Sequence, residues 1–209
     1  MTNPIVREPR WHAWVAMIAA GLLYLALPER LSLGPSWLLL AIVAVLMVPV
    51  IFSYRRKHYD VTHALTFTAN GVITLSLVAS LGILIYGLPQ HLESPEEMLR
   101  SAVALWVSNI LVFALWYWKL DAGGPLGRDT SRGHIDSSFL FPQMLDPECD
   151  SEWSPQFVDY LFLAFNTSTA FSPTDTAALS RWAKLGMMIQ SMISLTIVVL
   201  LAARAVNIL

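Results

Sequence analysis

Residues 61–92 read VTHALTFTANGVITLSLVASLGILIYGLPQHL, and none of them is Asp, Glu, Lys or Arg. The hydrocarbon core of a bilayer is about 30 Å thick, and a helix of roughly 17–25 residues crosses it. This run exceeds that need, so a helix built on it must tilt or overshoot. Four further runs lack the same residue types: 11–28, 31–54, 101–118 and 185–203. Each is long enough to span. The fold expected is an all-α, polytopic membrane helix bundle of five or six spans, forming a single membrane domain over 1–209. The spans are expected near 11–28, 33–54, 63–88, 97–118, 156–172 and 181–206. The fifth is short or re-entrant, and 119–154 is an extramembrane loop.

Composition agrees. The 209 residues are 56% hydrophobic and 13% charged, with a mean hydropathy of +0.56, whereas soluble domains carry about a quarter charged residues. The net charge of −2 offers no basic footprint, so no nucleic acid partner is expected. The one cysteine, Cys149, excludes an internal disulfide and a multi-cysteine metal site. Eight Trp and six Tyr suit the membrane interface, where amphipathic rings settle. Arg7 and Arg10 precede the first apolar run, but Pro28-Glu29-Arg30 follows it, where a signal-peptide cleavage site would need small residues. The lipid bilayer is the expected partner, and the bacterial inner membrane, crossed several times, the expected location.

Helix breakers fall between the runs. Residues 28–35 make a tight connection, so the first two spans form an antiparallel hairpin. Ser94-Pro95-Glu96-Glu97 is a capping box with proline at the first helical position, opening the fourth span. Pro49 lies inside the second span, where a kink is expected. The long polar stretch after the fourth span holds Gly123-Gly124-Pro125 and an apolar island, Phe139-Leu140-Phe141-Pro142, which either dips into the interface or docks on the bundle. Ser154-Pro155 is read as the cap of the short fifth segment. With six crossings, nine Lys and Arg lie on one side and four on the other. The positive-inside rule then places both termini in the cytoplasm. The Arg55-Arg56-Lys57 cluster carries most of that signal as a topology determinant, ahead of lipid-headgroup recognition.

The segment 159–206 resembles the pore module of potassium channels: pore helix, filter, inner helix. The family pattern is an acidic residue, an apolar helix, T-x-T-T-V-G-Y-G-D and a final helix. Asp159, Leu161, Phe165, Thr167, Thr169 and Asp175 fall at the family spacing without a gap. Ser172 and Thr174 replace the two filter glycines, and Pro173 replaces the aromatic between them. Glycine permits the alternating backbone that points successive carbonyls at the axis. Pro173 is locked near φ −65° and pushes Ser172 into an extended shape, so a potassium-type filter is not expected. The hydroxyls of Thr167, Ser168, Thr169, Ser172 and Thr174, with Asp175 as a pore-mouth acid, still line a wet pathway on this reading. Gln190 and Ser194, four apart on the last helix, share the face that would line its cavity. Phe113 to Tyr117, the island at 139–143, the stretch from Asp159-Tyr160 to Asp175-Thr176, the pair Ser180-Arg181 and the end 205–209 also look like an uncharacterised family of small bacterial integral membrane proteins that carry a domain of unknown function. That resemblance implies no activity.

Each candidate has a plainer role. Asp159 is either an intramembrane acid that titrates or, as the stronger reading, a residue that complements the helix N-terminus. Asp175 with Thr176 is expected to cap the last helix. Asn70 and Asn109 are expected to hydrogen-bond between helices. The histidines are scattered, with no metal-ligand spacing. No nucleophile–base pair, phosphate loop or paired carboxylates appear, so the expectation is a non-enzyme without cofactor or metal. Three functions follow: a channel-like homo-oligomer passing a small ion or solute, a non-conducting scaffold or partner-binding subunit, or a small proton-coupled transporter using Asp159.

Overall fold

The structure, a computed structural model, describes residues 9–56, 59–87, 94–130, 137–145, 153–170 and 175–206. It is mostly helical. In chain order the elements are α1 (Trp11–Tyr24), α2 (Trp37–Arg55), α3 (Tyr59–Gly87), α4 (Pro95–Leu120), α5 (Gly124–Thr130), β1 (Phe139–Leu140), α6 (Phe157–Thr169), β2 (Ala177–Ala178) and α7 (Arg181–Val206). Among the described residues three helices are long and apolar enough to cross a membrane: Val61–Gly87, Glu96–Gly123 and Arg181–Ala203. α1 and α2 are shorter apolar helices.

The first hairpin shows why the boundaries moved. A helix running to residue 28 would drive the Pro28 ring into the carbonyl of Tyr24, and α1 stops at Tyr24. The chain then makes a 3-10 turn over Glu29–Leu31. Gly34 follows with φ 93°, which breaks any helix there, and α2 begins at Trp37 rather than near 33. The fourth helix opens as read. The Ser94 hydroxyl accepts the Glu97 N–H, and the Glu97 carboxylate accepts the Ser94 N–H at 3.0 Å.

α4 is the central post. It packs against α1, α3, α6 and α7, and 67% of its apolar window is buried against 17% for that of α7. α1 through α4 alternate in direction. The Tyr24 hydroxyl at the end of α1 takes the Leu33 N–H and the Ser80 hydroxyl near the end of α3. At the other end, Lys119 of α4 reaches the His63 carbonyl at the start of α3. The bundle thus has a Tyr24 end and a Lys119 end.

The stretch after α4 is more ordered than a polar loop. Ala122, Gly123 and Gly124 have φ of 50°, 75° and 78°, and a β-carbon on Gly124 would lie 2.7 Å from the Lys119 carbonyl. Only glycine fits that second constraint. The reversal leads into α5. The apolar island docks on the bundle: Phe139 is fully buried, its ring meeting Tyr117, Trp182 and Tyr160 at 5.2, 5.7 and 6.3 Å. β1 pairs antiparallel with β2, Phe139 opposite Ala178 and Leu140 opposite Ala177.

Candidate functional site

α6 starts at the Lys119 end. Phe157 stacks edge-on against Trp118 at 6.0 Å, and Tyr160 donates to the Asp121 carboxylate at 2.6 Å. Farther along, Phe165 meets Trp106 at 6.2 Å. Trp118 and Trp106 are twelve residues apart on α4, about 18 Å of helix, so α6 climbs α4 in the opposite sense. It ends at Thr169, beside the middle of the bundle.

By residue 177 the chain is back beside Phe139 in the β1–β2 pair. α7 then starts at the same end as α6, with Trp182 on Phe139 and its indole N–H donating to the Ser138 hydroxyl at 3.0 Å. α7 climbs beside α6 in the same direction. Gln190 meets Ala164 and Ser168, and Ser191 donates to the Thr167 carbonyl at 3.2 Å. α6 and α7 are therefore parallel.

Two caps differ from expectation. The N-cap of α6 is Gln156, not Ser154, and Asp159 is the third helical residue of that cap, its Oδ2 accepting the Gln156 N–H at 2.7 Å. At α7 it is the Ser180 hydroxyl that accepts the Ala183 N–H at 3.3 Å. Asp175 and Thr176 cannot cap α7, because β2 intervenes.

The polar candidates divide into two groups. Thr167, Ser168, Gln190 and Ser194 are buried. The Gln190 carboxamide donates to the Ala164 carbonyl at 2.7 Å and the Ser168 hydroxyl at 2.8 Å, and accepts from Tyr117 at 2.7 Å. Asn109 donates to the Ser194 hydroxyl at 2.9 Å and the Gln190 carbonyl at 3.1 Å. Thr167 bonds back to the Leu163 carbonyl of its own helix. Thr169 and Asp175 are exposed. Ser172 and Thr174, with Pro173 between them, lie outside the described residues. Asn109 is the interhelical partner expected of it. Asn70 is not: it is fully buried, and neither its Nδ2 nor its Oδ1 has a hydrogen-bond partner.

One hub was missed. Asp121 is fully buried. Its carboxylate accepts the Ser138 N–H at 2.5 Å, the Ser137 hydroxyl at 3.1 Å and the Tyr160 hydroxyl. Arg128 donates to the Trp118 and Asp121 carbonyls, both at 2.9 Å, and lies over the Tyr160 ring. The signal was available: an acid at a helix C-terminus opposes the dipole, so it needs donors from elsewhere. Among the described residues no group of three His, Cys, Asp or Glu gathers to hold a metal. Comparison with protein-family models, with curated proteins and with solved structures finds no match.

Proposed function

We propose that the chain crosses the bacterial inner membrane five times, that α6 re-enters from the cytoplasmic side, and that the protein is a channel-like homo-oligomer passing a small ion or solute. The observation that carries this reading is the parallel α6–α7 pair, whose connection returns to the end where α6 began. Five crossings also sharpen the charge asymmetry. Arg181 and Lys184 join the Lys119 end and Arg204 leaves it, so nine to four becomes ten to three of the 13 Lys and Arg. The positive-inside rule then makes the Lys119 end cytoplasmic and the C-terminus periplasmic.

The site has a framework and a face. Gln190 binds Ser168 and Tyr117 of α4, Ser194 binds Asn109 of α4, and the Thr167 hydroxyl binds its own helix, all inside a single chain. The pathway belongs instead on the exposed side of α6 and its return, at Thr169 and Asp175, between copies. Irregular backbone at membrane depth is stable only when buried in protein or facing a water-filled cavity. An exposed helix end halfway into the bundle therefore favours an oligomer.

A scaffold without conduction is the second reading, favoured by the hydrogen bonds that Gln190, Ser168, Tyr117, Asn109 and Ser194 make within one chain. Purified protein in liposomes with an ion-flux readout separates the two. Flux above that of empty liposomes, reduced by Asp175→Asn and Thr169→Val, supports the channel. Flux equal to empty liposomes for every small ion tried leaves the scaffold.

A further inference from the structure

Lys119 is only 6% exposed, and among the described residues its ammonium has neutral partners alone. Nζ donates to the His63 carbonyl at 2.9 Å and to the Thr66 hydroxyl, and it lies 5.7 Å from the centre of the Phe67 ring. Among the described residues no carboxylate pairs with it. A buried cation without a counter-charge is costly, and an ammonium has three N–H donors, of which the described residues engage two. His63 and Phe67, which rim the site, are exposed, so the third N–H lies just under the surface between α3 and α4.

We propose that Lys119 is a headgroup site for a phosphate-bearing membrane lipid, the phosphate oxygen taking its remaining N–H. Three features favour a lipid over a dissolved anion. The site lies at the Lys119 end of the bundle, which the proposed topology makes the cytoplasmic end, where headgroups of that leaflet lie. It opens onto an apolar strip of α3, where Phe67, Leu75, Val78 and Ile85 are all exposed, and an acyl chain can lie along that strip. The Phe67 ring forms part of both the headgroup site and the strip. A basic pocket between membrane helices on the cytoplasmic side is a recognised way to hold such headgroups.

The inference rests on the bilayer placement proposed above but not on conduction, so a failed flux assay leaves it standing. Lysine occurs three times, at 57, 119 and 184. In the protein carrying Lys57→Arg and Lys184→Arg, Lys119 holds the single lysine Nζ, and phosphorus–nitrogen dipolar recoupling in the solid state reads its contact directly. In phosphatidylglycerol bilayers, phosphorus should dephase the Nζ signal. In phosphorus-free glycolipid bilayers with inorganic phosphate in the buffer, the signal should survive. No dephasing in phosphatidylglycerol overturns the proposal, and equal dephasing in both replaces the lipid with a free anion. As a second readout, phosphatidylglycerol should raise the melting temperature of the unaltered protein, and this rise should vanish in Lys119→Met and persist in Lys119→Arg. An undiminished rise in Lys119→Met overturns the proposal.

Discussion

Gln190 of α7 donates to the Ser168 hydroxyl of α6 at 2.8 Å, and the bond joins two consecutive helices that run the same way. Parallel neighbours need a connection that travels back along their length. The start of α7 is pinned just before β1 by the Leu179 N–H donating to the Ser138 carbonyl at 2.8 Å.

This relationship predicts the cost of removing Gln190. Gln190→Leu deletes three side-chain hydrogen bonds, each worth roughly 0.6 kcal/mol between membrane helices. It also strands the buried Tyr117 hydroxyl, at about 1–3 kcal/mol. A loss of roughly 3–5 kcal/mol in detergent unfolding is expected. Adding Tyr117→Phe removes the stranded group, so the double variant should be more stable than the sum of the single losses predicts. Strict additivity would mean that the two side chains are not coupled.

The direction of α7 is tested without folding energetics. A reporter fused after Leu209 should be active in the periplasm, and one placed at 92–96 should be active there too. Cys149 lies in the segment between α4 and α6, so an impermeant maleimide should label it in inverted vesicles and spare it in right-side-out ones. A cytoplasmic reporter at Leu209 would restore six crossings.

Part of this architecture is legible in the chain itself. Charge-free runs locate the long apolar helices because lipid tolerates few charges, and Ser94 with Glu97 announces the start of α4. The spacing of Gln190 and Ser194 puts them on one face, which is where they lie. Direction is another matter. Periodicity carries no sign, so 157–169 reads the same as a short crossing or as a re-entry. What sets the direction of α7 beside α6 is a tertiary pairing, Phe139 against Ala178, between two residues that local pattern leaves in unrelated loops. Asp121 escaped for the same reason: its donors come from Ser137, Ser138 and Tyr160, sixteen to thirty-nine residues away.

Asp121 should therefore be the most sensitive position outside the helix core. Asp121→Ala orphans three donors at once and should cost more than about 3 kcal/mol. Tyr160→Phe removes one hydrogen bond to a carboxylate and should cost roughly 1.5–3 kcal/mol. Because Asp121 ties α4, the 137–138 segment and α6 together, its loss should also hasten trypsin cleavage at Arg128 and Arg132. Equal stability and equal cleavage in the two variants would show that the carboxylate is not the organising group.

Asp159 decides between structure and transport. Its Oδ2 accepts the Gln156 N–H at 2.7 Å, and as the third helical residue it lies where free amides and the helix dipole favour a negative charge. Asp159→Asn keeps the shape and an acceptor oxygen but removes the charge. The helix-end term is worth about 0.3–1 kcal/mol at exposed sites and up to about 2 kcal/mol when partly buried, and Asp159 is half-buried. The variant should therefore melt slightly lower in detergent and leave reconstituted flux intact, whereas Asp175→Asn should lower flux with little change in melting. An acid that couples protons to a substrate behaves in the opposite way, because neutralising it removes the group that titrates. If Asp159→Asn abolishes uptake at unchanged melting temperature, Asp159 is the functional acid and the cap is incidental.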